Sequence, residues 1–110
     1  MLIYLASPYA HKSKEVMASR ARASAEAAAR LMAQGYPVFA PIPYGDRIKD
    51  YLPDNLQVDH RFWLHQDAAY LFAMTELYVL KLDGWAESKG VRWEIQTAEV
   101  LGVHIKYIEA

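Results

Sequence analysis

Glu94 is the acidic residue whose position in the sequence best suits chemistry. It lies in the run Ser88–Ile95, which follows an apolar segment at Leu77–Leu82 and a polar turn, and it falls in the first turns of a predicted helix. Because a helix dipole favours negative charge near the helix N-terminus, we expect Glu94 to be ionised. An ionised, positioned carboxylate can act as a nucleophile or a base. The alternative is a Glu that only complements the helix dipole, since acidic residues are common in first turns.

A second acidic residue, Asp67, interrupts an apolar stripe on a predicted helix over 58–74. Residues spaced by three and four lie on one face of this helix: His60, Leu64, Asp67, Leu71 and Met74, with Trp63 beside them. An acid in such a stripe is costly to bury unless it is hydrogen-bonded or functional. A purely structural Asp67 would bond to backbone amides or lie exposed. If Asp67 approaches Glu94, the pKa values of the two carboxyls should separate, so that one is ionised and the other holds a proton. That pairing suits a nucleophile and a general acid.

Strands and helices alternate along the chain. Short apolar runs predict strands at 2–6, 36–40, 77–82 and 103–108, and helical patterns cover 14–34, 58–74 and 90–101. For residues 41–57 we predict a long loop that can include one helical turn. Such alternation favours an α/β fold with a parallel sheet and right-handed crossovers. We therefore predict one domain over residues 1–110, a flavodoxin-like doubly wound sheet of about four strands in the order 2-1-3-4, with helices on both faces.

In that order the first and third strands border the switch point, where ligands bind in open α/β sheets. Ser7, Pro8 and Tyr9 follow the first strand, and the segment from Asp83 to Glu94 follows the third, so both stretches should reach one crevice. The first turn has no glycine, and neither a dinucleotide fingerprint nor a P-loop is present. Its hydroxyl and aromatic ring favour contact with a sugar or base, or else it is a simple turn.

The second turn, with Ser88 and Gly90, is suited to an anion held by the hydroxyl and the helix amides. The six residues predicted to bind substrate are thus Ser7, Pro8, Tyr9, Asp83, Ser88 and Gly90.

Composition narrows the classes of function. The chain has 110 residues, 54% of them hydrophobic, and a net charge of −1, which indicates a folded protein without the basic face of a nucleic-acid binder. The absence of cysteine excludes disulfides and thiol chemistry and fits a cytoplasmic protein. No apolar run approaches the roughly 20 residues of a membrane span. His60 and His65 face different sides of their helix, so we expect no metal and no cofactor. The modest core makes a homo-oligomer, a dimer or tetramer, plausible.

Three stretches of the sequence resemble the nucleoside 2-deoxyribosyltransferase superfamily, which includes transferases and related nucleotide N-glycosidases. They are the opening strand and turn Ile3–Tyr9, Asp67 in its helix, and the turn into the last helix at Ser88–Ala98. The likeness runs over nearly the whole chain and is greatest to small bacterial members.

The resemblance implies a role for each matching residue. Glu94 matches the nucleophile that forms a glycosyl–enzyme intermediate, Asp67 the acid that assists departure of the base, and Tyr4 a tyrosine that orients the nucleophile. Ser88 matches the position that holds the 5′ end of the sugar, where Ser is more similar to members acting on 5′-monophosphates. Gly90 keeps the backbone close to the ligand.

The chain also departs from the family pattern. Ser7 and Pro8 stand where the family has a glycine, and Gln96 stands where it prefers another. Transferases lend residues from beyond their last strand to a neighbouring subunit's site, so we expect that contribution to be missing or to come from residues 41–57. The expected function is cleavage or transfer at the N-glycosidic bond of a nucleoside or nucleotide. The alternatives are a non-catalytic nucleotide-binding module and a structural oligomeric protein.

Overall fold

Four parallel strands form one sheet with helices on both faces. The computed structural model describes residues 1–110. The strands are β1 Ile3–Ala6, β2 Val38–Phe39, β3 Glu76–Leu80 and β4 His104–Ile108. The helices are α1 Lys14–Ala33, α2 Pro41–Ile48, α3 His60–Ala73 and α4 Lys89–Leu101, with short 3-10 turns at Lys49–Tyr51 and Trp85–Glu87. The strand order is β2-β1-β3-β4 and every pair is parallel, which confirms the predicted flavodoxin-like topology.

The central strand β1 divides the core into two halves. Its four residues are all buried, as expected of a strand covered on both faces. Ile3 and Leu5 point to one side, where they pack with the small residues of α1. Tyr4 and Ala6 point to the other side and join the buried residues of α3, β3 and α4. This alternation decides that Tyr4 faces α4, the helix that carries Glu94.

Helix α1 begins and ends close to the positions that its sequence predicts. The Ser13 hydroxyl accepts a hydrogen bond from the Val16 amide at 3.2 Å and caps the helix, and Gly35 follows it with a φ of +95°. The small-residue stripe lies on the sheet, with Ala21, Ser24, Ala28 and Leu31 buried. Small side chains let this long helix approach the sheet closely.

The prediction of a loop over residues 41–57 was wrong in its first half. Residues 41–48 form α2, which has Pro41 at its first position and no side-chain cap. Pro41 and Pro43 do not prevent this helix, because proline is well tolerated in a first turn, where its missing N–H would have had no helical partner. α2 contacts α1 and β1, and its inner side borders the functional cavity described below.

The other element boundaries shift by at most two residues. β2 is shorter than predicted, since Pro37 has no N–H with which to extend the ladder and only its carbonyl accepts a bond, from Ile3. α3 begins after Asp59, whose carboxylate caps the Phe62 amide at 3.0 Å, rather than at Val58. β3 ends at Leu80 instead of Leu82. None of the four helices combines the length and the apolarity that a membrane crossing requires.

Candidate active site

A cavity of about 720 Å³ opens at the carboxyl ends of β1 and β3. Its walls come from the turn after β1, from α2 and the 3-10 turn that follows it, from α3, and from the start of α4. It lies at the switch point of the sheet, where the topology predicts a ligand site. The residues selected from the sequence that line it are Ser7, Tyr9, Asp67, Ser88, Gly90 and Glu94.

Glu94 lies at the buried end of this cavity. The residue is only 6% exposed, and burial raises the pKa of its carboxyl to about 8. The negative charge of Asp67 raises the pKa further, whereas the Tyr4 hydroxyl lowers it. The expectation that the helix dipole keeps Glu94 ionised is therefore wrong for the protein alone. Glu94 is the sixth residue of α4, beyond the first turn in which the dipole acts, so desolvation prevails.

Tyr4 does not line the cavity but lies behind Glu94. It is fully buried, and burial, followed by the charges of Glu94 and Asp67, raises the pKa of its phenol well above the ordinary range, so it is neutral. Its hydroxyl is near enough to stabilise an ionised Glu94, but it satisfies no standard hydrogen-bond geometry with any protein atom. The contact between the Tyr4 hydroxyl and Glu94 is therefore loose. In any hydrogen bond between the two groups, the neutral Tyr4 hydroxyl would donate to the Glu94 carboxylate.

Asp67 is half-buried on the face of α3 that borders the cavity. Burial raises the pKa of its carboxyl to about 6. The charge of Asp67 also raises the pKa of Glu94, although burial contributes more. The separation of pKa values expected from the sequence is present, but the higher value belongs to Glu94.

The remaining residues selected from the sequence divide into two groups. Ser7 is 3% exposed, lines the cavity, and its hydroxyl has no protein partner. Pro8 and Asp83 do not line the cavity, so the expectation that they contact a ligand is not supported. Pro8 is buried beneath the turn, and the Asp83 side chain is exposed while its carbonyl accepts a bond from Arg20 at 3.0 Å.

Ser88 has a structural task at the start of α4. Its hydroxyl accepts a hydrogen bond from the Val91 amide at 3.2 Å and so caps the helix. The amides of Lys89 and Gly90 make no hydrogen bond within the chain, and both residues line the cavity beside Ser88. Free amides at a helix N-terminus suit an anion.

Tyr9 is engaged by two residues that the sequence reasoning missed. Its hydroxyl donates a hydrogen bond to Asp46 of α2 and accepts one from Lys49, and Lys49 also pairs with Asp46 at 3.3 Å. This cluster ties α2 to the turn after β1 at the edge of the cavity. The spacing of Asp46 and Lys49, three residues apart, is the signal that could have indicated a helical turn there.

Arg20 and Trp63 complete the walls. The Arg20 guanidinium donates to the carbonyls of Ala10 at 3.0 Å and of Asp83 at 3.0 Å, and so joins the two turns that flank the cavity without meeting a carboxylate. The Trp63 indole presses against α2 at Gly45, where an added methyl group would lie 3.4 Å from the ring. No group of three or more His, Cys, Asp or Glu side chains is arranged to hold a metal ion.

Comparison with known proteins gives a fold relative and a family. A solved structure of a 2-deoxyribosyltransferase from the psychrotolerant bacterium Bacillus psychrosaccharolyticus superposes with a TM-score of 0.69 at 20% identity, covering 99% of this chain and 72% of that one. At that identity the likeness establishes the shared fold. No curated protein matches the sequence significantly. The sequence model of one family matches residues 1–109, and the chain therefore belongs to the family described as Domain of unknown function (DUF1937).

Proposed function

We propose that this protein cleaves or transfers at the N-glycosidic bond of a nucleoside or nucleotide, with Glu94 as the nucleophile. The observation that carries the proposal is a desolvated Glu94 carboxyl and a second carboxyl, Asp67, which line one cavity of nucleotide size. A buried acid with no ion-pair partner destabilises a fold, and strongly shifted pKa values cluster at functional sites. The shared fold with a 2-deoxyribosyltransferase supports the same class of reaction.

The proposed chemistry follows from two carboxyls with one proton between them. The Glu94 carboxylate attacks the anomeric carbon, the bond from that carbon to the base nitrogen breaks, and its electron pair leaves with the base. Asp67 gives its proton to the departing base. Water, or the nitrogen of a second base, then attacks the anomeric carbon and releases Glu94 as a carboxylate, while Asp67 takes up the proton. The scheme parallels retaining glycoside hydrolysis.

The reactive arrangement needs Glu94 ionised and Asp67 protonated, which is the reverse of their order in the protein alone. Tyr4 can reduce this difference, since a full hydrogen bond from its hydroxyl stabilises the ionised Glu94. The positive charge that develops on the sugar in the transition state favours the same arrangement. We propose Tyr4 as a positioning residue that acts through Glu94.

The apolar and the polar parts of the cavity lining suggest how a substrate is oriented. The apolar side, with Trp63, Leu64 and Ile42, is suited to the flat face of a base. The other side has the free amides of Lys89 and Gly90, with the Arg20 guanidinium also in the cavity wall. Those donors fit the 5′ end of the sugar and favour a 5′-monophosphate over a nucleoside.

Chromatography of the free base released from paired nucleosides and 5′-monophosphates tests the proposal. We expect release from at least one substrate, greater release from monophosphates, and loss of release in Glu94→Gln. Adding a second base distinguishes transfer from hydrolysis. Equal release by Glu94→Gln would remove Glu94 from the nucleophile role. Saturable binding of a nucleotide without any turnover would favour the non-catalytic binding module instead.

A further inference from the structure

Phe39 of β2 lies beside Tyr4, the tyrosine behind the proposed nucleophile. The two residues are paired in the parallel ladder between β1 and β2, so their side chains lie on the same face of the sheet. Their ring centroids are 5.6 Å apart and their planes meet at 57°, a tilted arrangement in which aromatic rings attract each other. Phe39 also packs against the buried cluster that includes Tyr4. It is therefore the direct aromatic neighbour of Tyr4.

Two further rings restrict the movement of Phe39. Tyr70 of α3 stacks on it with ring centroids 3.9 Å apart and planes 6° apart, and the Tyr44 ring of α2 lies at 5.5 Å. Tyr70 belongs to the same helix as Asp67, and α2 forms part of the cavity wall. Phe39 thus contacts β1, α2 and α3 at once, and a ring packed on several sides has little room to move.

We propose that Phe39 is a positioning residue, which fixes the ring of Tyr4 and thereby keeps its hydroxyl beside Glu94. This role deepens the proposed function and rests on it. A tyrosine side chain has two torsions, so a neighbour that packs against its ring restricts where its hydroxyl can lie. The Tyr4 hydroxyl is buried and has no protein partner with standard hydrogen-bond geometry. Packing of the ring, rather than a bond to the hydroxyl, must therefore hold Tyr4 in place.

The direction in which the pKa of Glu94 moves distinguishes positioning from a simple loss of packing. Burial raises this pKa most, Tyr4 of β1 lowers it, and the charge of Asp67 of α3 raises it. If Phe39 positions Tyr4, the substitution Phe39→Leu weakens the lowering effect and the pKa of Glu94 rises. If the substitution only loosens the core, water reaches Glu94, desolvation weakens and the pKa falls. The two explanations therefore predict shifts of opposite sign.

NMR titration of carboxyl-labelled glutamate measures the pKa of Glu94 without any substrate, and the Glu94 signal is identified by its absence in Glu94→Gln. We expect this pKa to rise in Phe39→Leu by at least half of its rise in Tyr4→Phe. The double variant should show no more than the rise in Tyr4→Phe alone, because both changes act through the same hydroxyl. Phe72→Leu is the matched control. It makes the same substitution at a side chain that is 61% exposed and contacts no other ring, and it should leave the pKa unchanged.

An unchanged or lowered pKa of Glu94 in Phe39→Leu overturns the inference, and so does a double variant in which the two rises add. If Phe39→Leu does not fold, Tyr70→Ala replaces it, because Tyr70 is 40% exposed and its loss frees one face of the Phe39 ring. The pKa of Glu94 should again rise in that variant, and an unchanged value refutes the inference. A lack of base release from every substrate would instead contradict the proposed reaction, while the titration still decides whether Phe39 positions Tyr4.

Discussion

Replacing Glu94 with Gln should stabilise the protein above neutral pH, because the buried carboxyl costs stability when it ionises. Its pKa is raised from 4.5 in the unfolded chain to about 8 in the folded protein. A raised pKa means that the stabilising contribution is complete below the unfolded value and is lost as the pH rises through the folded value. At about 1.36 kcal/mol per pKa unit, Glu94 should remove about 3 kcal/mol of unfolding free energy between about pH 5 and pH 8.

Urea unfolding followed by tryptophan fluorescence at several pH values measures this loss. Glu94→Gln cannot titrate, so its unfolding free energy should depend much less on pH and should exceed that of the unaltered protein by about 3 kcal/mol near pH 8. The residual slope in the variant comes from Asp67, whose pKa is raised in the same direction. Glu99→Gln, an exposed change on the same helix, is the control and should follow the unaltered protein.

The outcome separates a functional acid from a structural one. If the charge of Glu94 stabilised the fold, Glu94→Gln would be less stable than the unaltered protein at every pH above the pKa of Glu94. If the unaltered protein and the variant lose the same free energy between about pH 5 and pH 8, the desolvation argument is refuted. Greater stability together with lost turnover would be the exchange of stability for activity that active sites commonly show.

Three further predictions concern the proposed reaction and are read from the pH dependence and rates of base release. Tyr4→Phe removes the group that lowers the pKa of Glu94. The reactive form has one proton on the two carboxyls, so kcat/KM should rise near pH 6 and fall near pH 8, and in Tyr4→Phe the fall should move to higher pH; an unmoved basic limb would leave Tyr4 no positioning role. Asp67→Asn should lower kcat/KM by roughly 10²–10⁴ for ordinary nucleotides. The loss should be small for an N7-methylated purine nucleotide, because its base leaves without a proton. Equal losses for both substrates would argue against Asp67 as the acid. Ser88→Asp keeps a good helix cap but adds a negative charge beside the free amides. The ratio of kcat/KM for the monophosphate to kcat/KM for the nucleoside should therefore fall at least about tenfold. An unchanged ratio would mean that the phosphate binds at another place.

The sequence by itself determined the topology and six of the residues that line the cavity. Alternating strands and helices allow few parallel arrangements, and the residues after β1 and β3 then meet at one edge of the sheet, as Ser7, Ser88 and Glu94 do. The predicted start of α1 at residue 14 is confirmed as well, because the Ser13 side chain caps the helix there. These features depend on neighbours along the chain or on strand order, both of which the sequence contains.

Only the tertiary structure decided the ionisation of the site and the shape of its walls. The sequence predicted a charged Glu94 carboxyl near a helix start, but the pKa of this carboxyl is set by how completely α4 and the sheet exclude water, which no local pattern records. The same holds for α2, whose residues Asp46 and Lys49 meet Tyr9 only after β1 and α2 pack together. Desolvation and long-range contact depend on atoms that are distant in the sequence, so they emerge only from the folded chain.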